Sequence, residues 1–226
     1  MYKVFNFIED KAINIPLTEN RGFLYGDGFF ETLIVKNGQL QFFEDHYERM
    51  SYAAYQLNLN PFPSVNRLKK LIHSSLSSML TLSRLKIIIF RNSDGLFAPI
   101  KNTPLFYFEE KEIVQQHPIQ KTAFFSSTIT NRVSATSKFK TLSSLNYVLA
   151  GVELNKSVFD EIILLDEKHN ISECLSSNIW WIKDNCIYTP SDRSACIEGI
   201  AKKNILRFLG FKNIKTLQGE FKKGIC

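Results

Sequence analysis

Between Lys138 and Pro190 the chain switches its periodicity, and that switch limits what it can build. Ser143 to Leu154 has the spacing of an amphipathic helix, and Glu161-Ile162-Ile163-Leu164-Leu165 then runs apolar without a break, the pattern of a short buried strand. Asn178 to Ile182 predicts a second apolar strand, and Asp184-Asn185 a turn into Cys186 to Tyr188, closing a hairpin. Two side chains with chemistry to offer bracket the helix and the first strand. Lys140 precedes them, and Glu173 follows in the run Asn170-Ile171-Ser172-Glu173. A lysine amine attacks a carbonyl carbon when its surroundings lower its pKa, and a carboxylate can hold a proton on a ring nitrogen. With 28 Lys+Arg and 22 Asp+Glu in the chain, one such pair has no meaning by itself, and composition alone makes both of them surface residues.

At 226 residues the chain makes one large domain or two small ones. With 44% hydrophobic and 13% aromatic residues it can bury a sizeable core. The net charge of +6 raises the question of nucleic acid or an anionic membrane surface. Much of the excess sits near the C-terminal end, in Lys202, Lys203, Arg207, Lys212, Lys215, Lys222 and Lys223, with no nucleic-acid motif beside it, which favours solvated helix faces and tails. Cys174, Cys186, Cys196 and Cys226 form no C-x-x-C pair, and the four histidines are scattered, so neither a metal site nor a disulfide framework is expected. No apolar run reaches the ~18 residues of a membrane span. Glu9, Asp10 and Lys11 interrupt any signal-peptide core, so a cytoplasmic location is expected.

Met1 to Pro16 reads as a hairpin turning at Glu9-Asp10-Lys11. Arg21-Gly22 and Gly26-Asp27-Gly28 then punctuate an aromatic run. Phe29 to Val35 is a strand, Lys36-Asn37-Gly38 a hairpin turn and Gln39 to Phe43 the return. Glu44 to Asn58 is a helix with Tyr47, Met50, Ala54 and Leu57 on one stripe and Arg49 inside it, ended by Pro61 and Pro63. Val65 to Met79 predicts a second helix. Arg84 to Phe90 predicts a strand that runs into a loop, Arg91-Asn92-Ser93-Asp94-Gly95, and Leu105 to Glu109 a further strand. The polar stretch around Glu110 to His117 divides the chain into a domain over 1–112, a linker over 113–118 and a second domain over 119–226. Lys138 and Lys140 lie on the same face of an extended segment, so periodicity does not separate them. Glu198 to Lys202 opens a last helix reaching about Leu209 and capped by Gly210; its N-terminus offers free N–H groups to an anion.

Four segments, in this order, carry a family resemblance: RGFLYGDGFFETL (Arg21 to Leu33), FFEDHYERM (Phe42 to Met50), KTLSSLNYVLAGVE through DEIILLDEKHNISECLSSNIWW, and YTP followed by GIAKKNIL (Gly199 to Leu206). Together they resemble the class IV, D-amino-acid-transaminase-like family of pyridoxal-phosphate enzymes. That family includes branched-chain aminotransferases, D-amino-acid transaminases and 4-amino-4-deoxychorismate lyases. The resemblance implies an α/β (α+β) chain of fold type IV, with a small α/β sandwich domain, a larger β-barrel-like domain with helices, and pyridoxal 5'-phosphate between them. It assigns Lys140 to the cofactor aldehyde and Glu173 to the ring nitrogen. Arg49 and the N–H groups of Ile200 and Ala201, after Gly199, go to the phosphate. Tyr25 and Phe30 would face cofactor or substrate, and Arg91 a substrate carboxylate. It further implies a small-molecule amino substrate and a homodimer, with no nucleic acid or membrane involved.

The chain departs from the family pattern in three places. Asn92, Ser93 and Asp94 stand where glycines are common, Ala201 and Lys202 where a threonine and an arginine often follow the glycine, and the C-terminal end is short for the family. The wording of the segments leans toward the lyase branch, which releases pyruvate and 4-aminobenzoate for folate synthesis. A class IV aminotransferase and a cofactor-binding, inactive relative are the alternatives.

Overall fold

Strand alternation and two helices account for the first part of the chain. The computed structural model describes residues 4–77, 79–114 and 122–225, so part of the expected linker at 113–118 and the start of the second domain expected from residue 119 fall outside the described residues. The chain divides into two units, Met1–Gln116 with Lys140–Ser143, and His117–Phe139 with Ser144–Cys226.

In the first unit β1 (Val4–Asn6) and β2 (Lys11–Ile13) form the expected N-terminal hairpin. A short helix, α1 (Arg21–Tyr25), precedes β3 (Gly28–Lys36) and β4 (Gln39–Leu40). The turn between these strands holds Asn37 and Gly38 at φ 50° and 71°, the left-handed pair that a tight hairpin demands. Then come α2 (Phe43–Gln56), α3 (Val65–Ser75), β5 (Leu82–Asn92) and β6 (Thr103–Glu112). The strands make one six-stranded sheet in the order β2-β1-β6-β5-β3-β4. Period two sets its faces. Phe29, Leu33 and Val35 of β3 and Leu85, Ile87 and Ile89 of β5 are buried, while Phe30, Thr32, Lys86 and Ile88 are half-exposed. α2 packs on β3 and buries Met50, Ala53 and Ala54; α3 buries Leu68 and Ile72. α3 stops four residues short of the expected Met79. The Ser74 and Ser75 hydroxyls both donate to Leu71 O, at 2.8 and 2.9 Å, and such side-chain bonds compete with the helix ladder.

The second unit contains β7 (Ala123–Asn131), α4 (Leu145–Leu154), β8 (Glu161–Asp166), β9 (Ile171–Cys174), β10 (Trp181–Lys183), β11 (Cys186–Pro190), α5 (Ile200–Phe211) and β12 (Thr216–Gly219). They form two three-stranded sheets, β7-β8-β9 and β10-β11-β12. Each holds one parallel pair, β7 with β8 and β11 with β12. A parallel pair needs a long crossover, and α4 and α5 lie within these two. The crossover from β7 to β8 is also the stretch that contains Lys140. Glu153, near the end of α4, ties the helix to β7: its carboxylate accepts from the Ser126, Ser127 and Thr128 hydroxyls and from the Ser127 N–H, where the register of β7 shifts.

Two expectations here are corrected. Asn178 to Trp180 is not strand, because the Asn178 amide donates to Ile197 O (2.9 Å) and the Thr189 hydroxyl to Ile179 O (2.9 Å) in place of ladder bonds; β10 begins only at Trp181. Gly210 does not cap α5, which runs on to Phe211, and Asn213 at φ 53° takes the left-handed turn. Among the described residues no helix is long and apolar enough to cross a membrane, and no group of three or more His, Cys, Asp or Glu could hold a metal ion. Ile87 is fully buried at the centre of the six-stranded sheet. Ile87→Ala is expected to destabilise the first unit by about 2–5 kcal/mol, measurable as a lower urea midpoint at unchanged slope.

Candidate active site

β3 is open along one edge at Gly28–Phe30, because β4 pairs only with Val35 and Lys36. Residues 140–142 fill that edge. Phe30 N–H donates to Lys140 O (2.8 Å), Leu142 N–H donates to Gly28 O (3.0 Å), and Phe29 bridges Thr141. This close approach explains the glycines. Gly26 is left-handed at φ 64°, and a Cβ there would lie 3.0 Å from the Ser143 backbone. A Cβ on Gly28 would lie 2.3 Å from Ile89 O and 2.9 Å from Leu142 Cδ1. Lys140 is half-buried, its Nζ 5.6 Å from the centroid of the Phe30 ring, so these two expected site residues stand together. Lys86 Nζ lies 4.7 Å from the same ring.

Glu31 sits one residue beyond Phe30, in phase with the apolar face of β3, and is 2% exposed. A buried carboxylate needs charged partners. Arg49 of α2 supplies two donors, Nε to Oε2 at 2.9 Å and Nη2 to Oε1. His46 Nδ1 lies 3.2 Å from Oε1 without hydrogen-bond alignment. Burial alone would raise the carboxyl, but His46 and Arg49 outweigh it and hold the Glu31 pKa down at about 2. Glu31 thus fixes the plane of the Arg49 guanidinium, which carries five N–H donors.

Arg91, which the resemblance assigns to a substrate carboxylate, is engaged by the protein. It lies within β5, is 6% exposed, and spends its donors on the protein. Its Nε donates to both oxygens of Asp27 (3.2 and 3.0 Å), Nη1 to Asn102 Oδ1 (2.5 Å) and Asn58 O (3.5 Å), and Nη2 to Leu57 O (2.6 Å). A guanidinium so engaged organises the loops around it and is a poor receptor for a substrate carboxylate. Arg21, 4% exposed, binds the same Asp27 through Nε (2.8 Å) and reaches Gly95 O (2.5 Å) and Leu96 O (2.8 Å) through Nη1. Tyr25 packs under the Arg21 guanidinium at 4.8 Å and meets Phe97 edge-on at 5.7 Å.

In the second unit Glu173 is 3% exposed, on β9. Its Oε1 accepts from the Tyr147 hydroxyl (2.6 Å) and Asn131 Nδ2 (3.3 Å), and its Oε2 from the Ile197 N–H (3.1 Å). Burial first, then the adjacent Glu173 charge, push the Tyr147 hydroxyl pKa well above the usual tyrosine range, so it stays a donor. Gly199 is the N-cap of α5, with no side-chain cap, and a Cβ there would fall 1.9 Å from Asn178 Oδ1. Ile200 is buried and Ala201 exposed at the start of the helix. Lys202 turns inward, donating to Pro190 O with Cys196 Sγ 3.7 Å away.

The structure separates the two rival lysines. Lys138 Nζ lies 2.9 Å from Asp192 and 3.1 Å from Glu198, and its hydrogen bonds to those carboxylates, Asp192 first, raise its pKa above the ordinary lysine value. An ammonium held that way is a weak nucleophile. Glu31, Asp27 and Tyr147 escaped the sequence reading. For Glu31 a signal was there: a carboxylate in the buried phase of an apolar strand. For Tyr147 none was, because an aromatic in an apolar helix reads as core.

The Glu31 charge stabilises the native state in full above its ordinary value of 4.5, and that contribution drains away as pH falls toward 2. Linkage puts it at about 3 kcal/mol. Acid unfolding followed by circular dichroism should therefore steepen in that window, and Glu31→Gln should flatten the profile there while lowering stability at neutral pH.

The sequence pattern of the amino-transferase class IV family matches residues 28–223. An aminodeoxychorismate lyase of Vibrio harveyi is 25% identical over 218 residues, covering 92% of this chain and 78% of the relative. One of Bacillus subtilis is 27% identical over 229 residues, covering 96% and 74%. The branched-chain amino acid aminotransferase of Escherichia coli shares the fold with a TM-score of 0.84 at 18% identity, covering 98% of this chain and 78% of that one. The chain belongs to the class IV aminotransferase family, the pyridoxal-phosphate-dependent enzymes of fold type IV.

Proposed function

We propose that this protein is a 4-amino-4-deoxychorismate lyase, splitting its substrate into 4-aminobenzoate and pyruvate. The residues fit the cofactor by their chemistry. Lys140 offers an amine to the aldehyde, Glu173 a buried carboxylate to the ring nitrogen, and Arg49 a guanidinium to the phosphate. Gly199 caps α5 without a side chain, and the N–H groups of Ile200 and Ala201 after it would hold the phosphate. When bound, pyridoxal phosphate draws electrons from the amine-bearing carbon of the substrate. Lys140 then takes the proton from that carbon. Glu173 would hold the proton on the ring nitrogen. The carbon–oxygen bond to the enolpyruvyl group breaks, the ring becomes aromatic, and pyruvate leaves; substrate and products balance without a co-reactant.

The observation that carries the lyase reading is the engagement of Arg91. An amino acid bears its carboxylate on the very carbon that carries the amine, and a transaminase must grip it. Aminodeoxychorismate carries its amine on a ring carbon with no carboxylate attached; its two carboxylates lie elsewhere, on the ring and on the enolpyruvyl group, so no grip is needed at the amine-bearing carbon. Similarity to two lyases over more than nine-tenths of the chain supports the same reading. The shared fold with a branched-chain aminotransferase favours a class IV aminotransferase as the second reading. In either case the protein is expected to work as a cytoplasmic homodimer.

With added pyridoxal phosphate the purified protein should show a visible absorbance band that borohydride fixes onto Lys140. Lys140→Ala should lose the band and lower 4-aminobenzoate release by at least about 10²–10⁴-fold, while Lys138→Ala keeps the band. Keto-acid formation from amino acids without 4-aminobenzoate release would sink the lyase reading in favour of the aminotransferase.

A further inference from the structure

Asn146 and Tyr147 lie in the first turn of α4, six and seven residues after Lys140; Tyr147 reaches Glu173, and Asn146 reaches Thr130 O (3.1 Å) and Asn131. Tyr147 reaches Oε1 directly at 2.6 Å. Asn146 Nδ2 donates to Asn131 Oδ1 (3.0 Å), and Asn131 Nδ2 in turn donates to Glu173 Oε1 (3.3 Å) and to the Ser172 hydroxyl (3.2 Å). The first turn of this helix thus commits one oxygen of the carboxylate from two sides. We propose that Tyr147 is a positioning residue for the reaction: its O–H bond to Glu173, seconded by the Asn146–Asn131 relay, holds that carboxylate ionised and oriented toward the cofactor ring nitrogen. The inference rests on the functional reading above and deepens it.

The physical reason is the direction of the bond. A donor to a carboxylate favours its charged form, and only the charged form can retain a proton on a ring nitrogen against it. Tyr147 cannot exchange roles with Glu173, because the Glu173 charge and burial keep its own proton in place. Two thiols also feel the Glu173 charge. Cys174 and Cys196 are buried and are pushed upward, by burial first, and Lys202 stands behind Cys196. None of these changes charge in the acid range where Glu173 would lose its own. α4 is held in place independently, through the Glu153 clasp on residues 126–128, so removing one hydroxyl leaves the helix seated.

The test compares Tyr147→Phe, Glu173→Gln and the double variant with the wild type, titrating each with pyridoxal phosphate by absorbance from pH 4 to pH 8. Tyr147→Phe is expected to weaken cofactor binding about tenfold and to move the acid limb of binding up by about one pH unit. In the Glu173→Gln background the acid limb should be absent and the Tyr147→Phe change should have no further effect, because the tyrosine acts only through the carboxylate. A Tyr147→Phe protein with unchanged affinity and unchanged acid limb overturns the proposal. So does a Tyr147→Phe penalty that persists in the Glu173→Gln background, which would mark a merely structural tyrosine. A wild type that fails to bind the cofactor overturns the functional reading itself, and the proposal with it.

Discussion

The structure of the candidate site depends on a two-bond backbone pairing, that of Lys140 and Leu142 with the open edge of β3. A lysine side chain is long and flexible, and its usefulness as a nucleophile depends on where its backbone is fixed. Here the fixing is done by the least specific of interactions, main-chain hydrogen bonds on a strand edge. Specificity comes from the glycines that allow it. Gly26 and Gly28 leave room where a single Cβ would strike Ser143 or Ile89. The Gly-Asp-Gly wording is therefore tied to the lysine more than one hundred positions downstream, and the aspartate between the glycines anchors Arg21 and Arg91.

Both units organise their polar chemistry around a buried carboxylate. Glu31 orders Arg49 and stands beside His46; Glu173 is itself ordered, by Tyr147, Asn131 and the Ile197 N–H. The two arrangements differ in their donors. Glu31 faces the Arg49 guanidinium, which holds its charge and makes it a stabilising group. Glu173 accepts from a phenol, a side-chain amide and a backbone N–H.

Much of this was legible in the sequence. The strands at β3, β5 and β8, the helix at α2, the Asn37-Gly38 turn and the family itself followed from periodicity, turn chemistry and four quoted segments. What was not legible involved side chains that compete with backbone ladders. Two serines end α3 early, Asn178 and Thr189 replace a strand by side-chain bonds, and Asn213 takes the turn that Gly210 seemed placed to make. The role of Arg91 was hidden for a related reason. A strand-end arginine looks the same in sequence whether its partner is a ligand or an aspartate sixty-four positions away. Lys138 and Lys140, indistinguishable by period, differ in that Asp192 and Glu198 surround the first.

The excursion of residues 140–143 also bears on inheritance. The polypeptide passes from one unit to the other after Gln116, after Phe139 and after Ser143, so neither unit is a contiguous stretch of gene. No single recombination breakpoint can exchange one unit for a foreign counterpart and leave both whole. A crossover at residue 116 would bring a lysine strand from one parent to a β3 edge from the other, and the fit would then hinge on two glycines and a leucine that had never been selected together. Such a chain resists modular shuffling and diversifies instead by substitution around a topology kept intact.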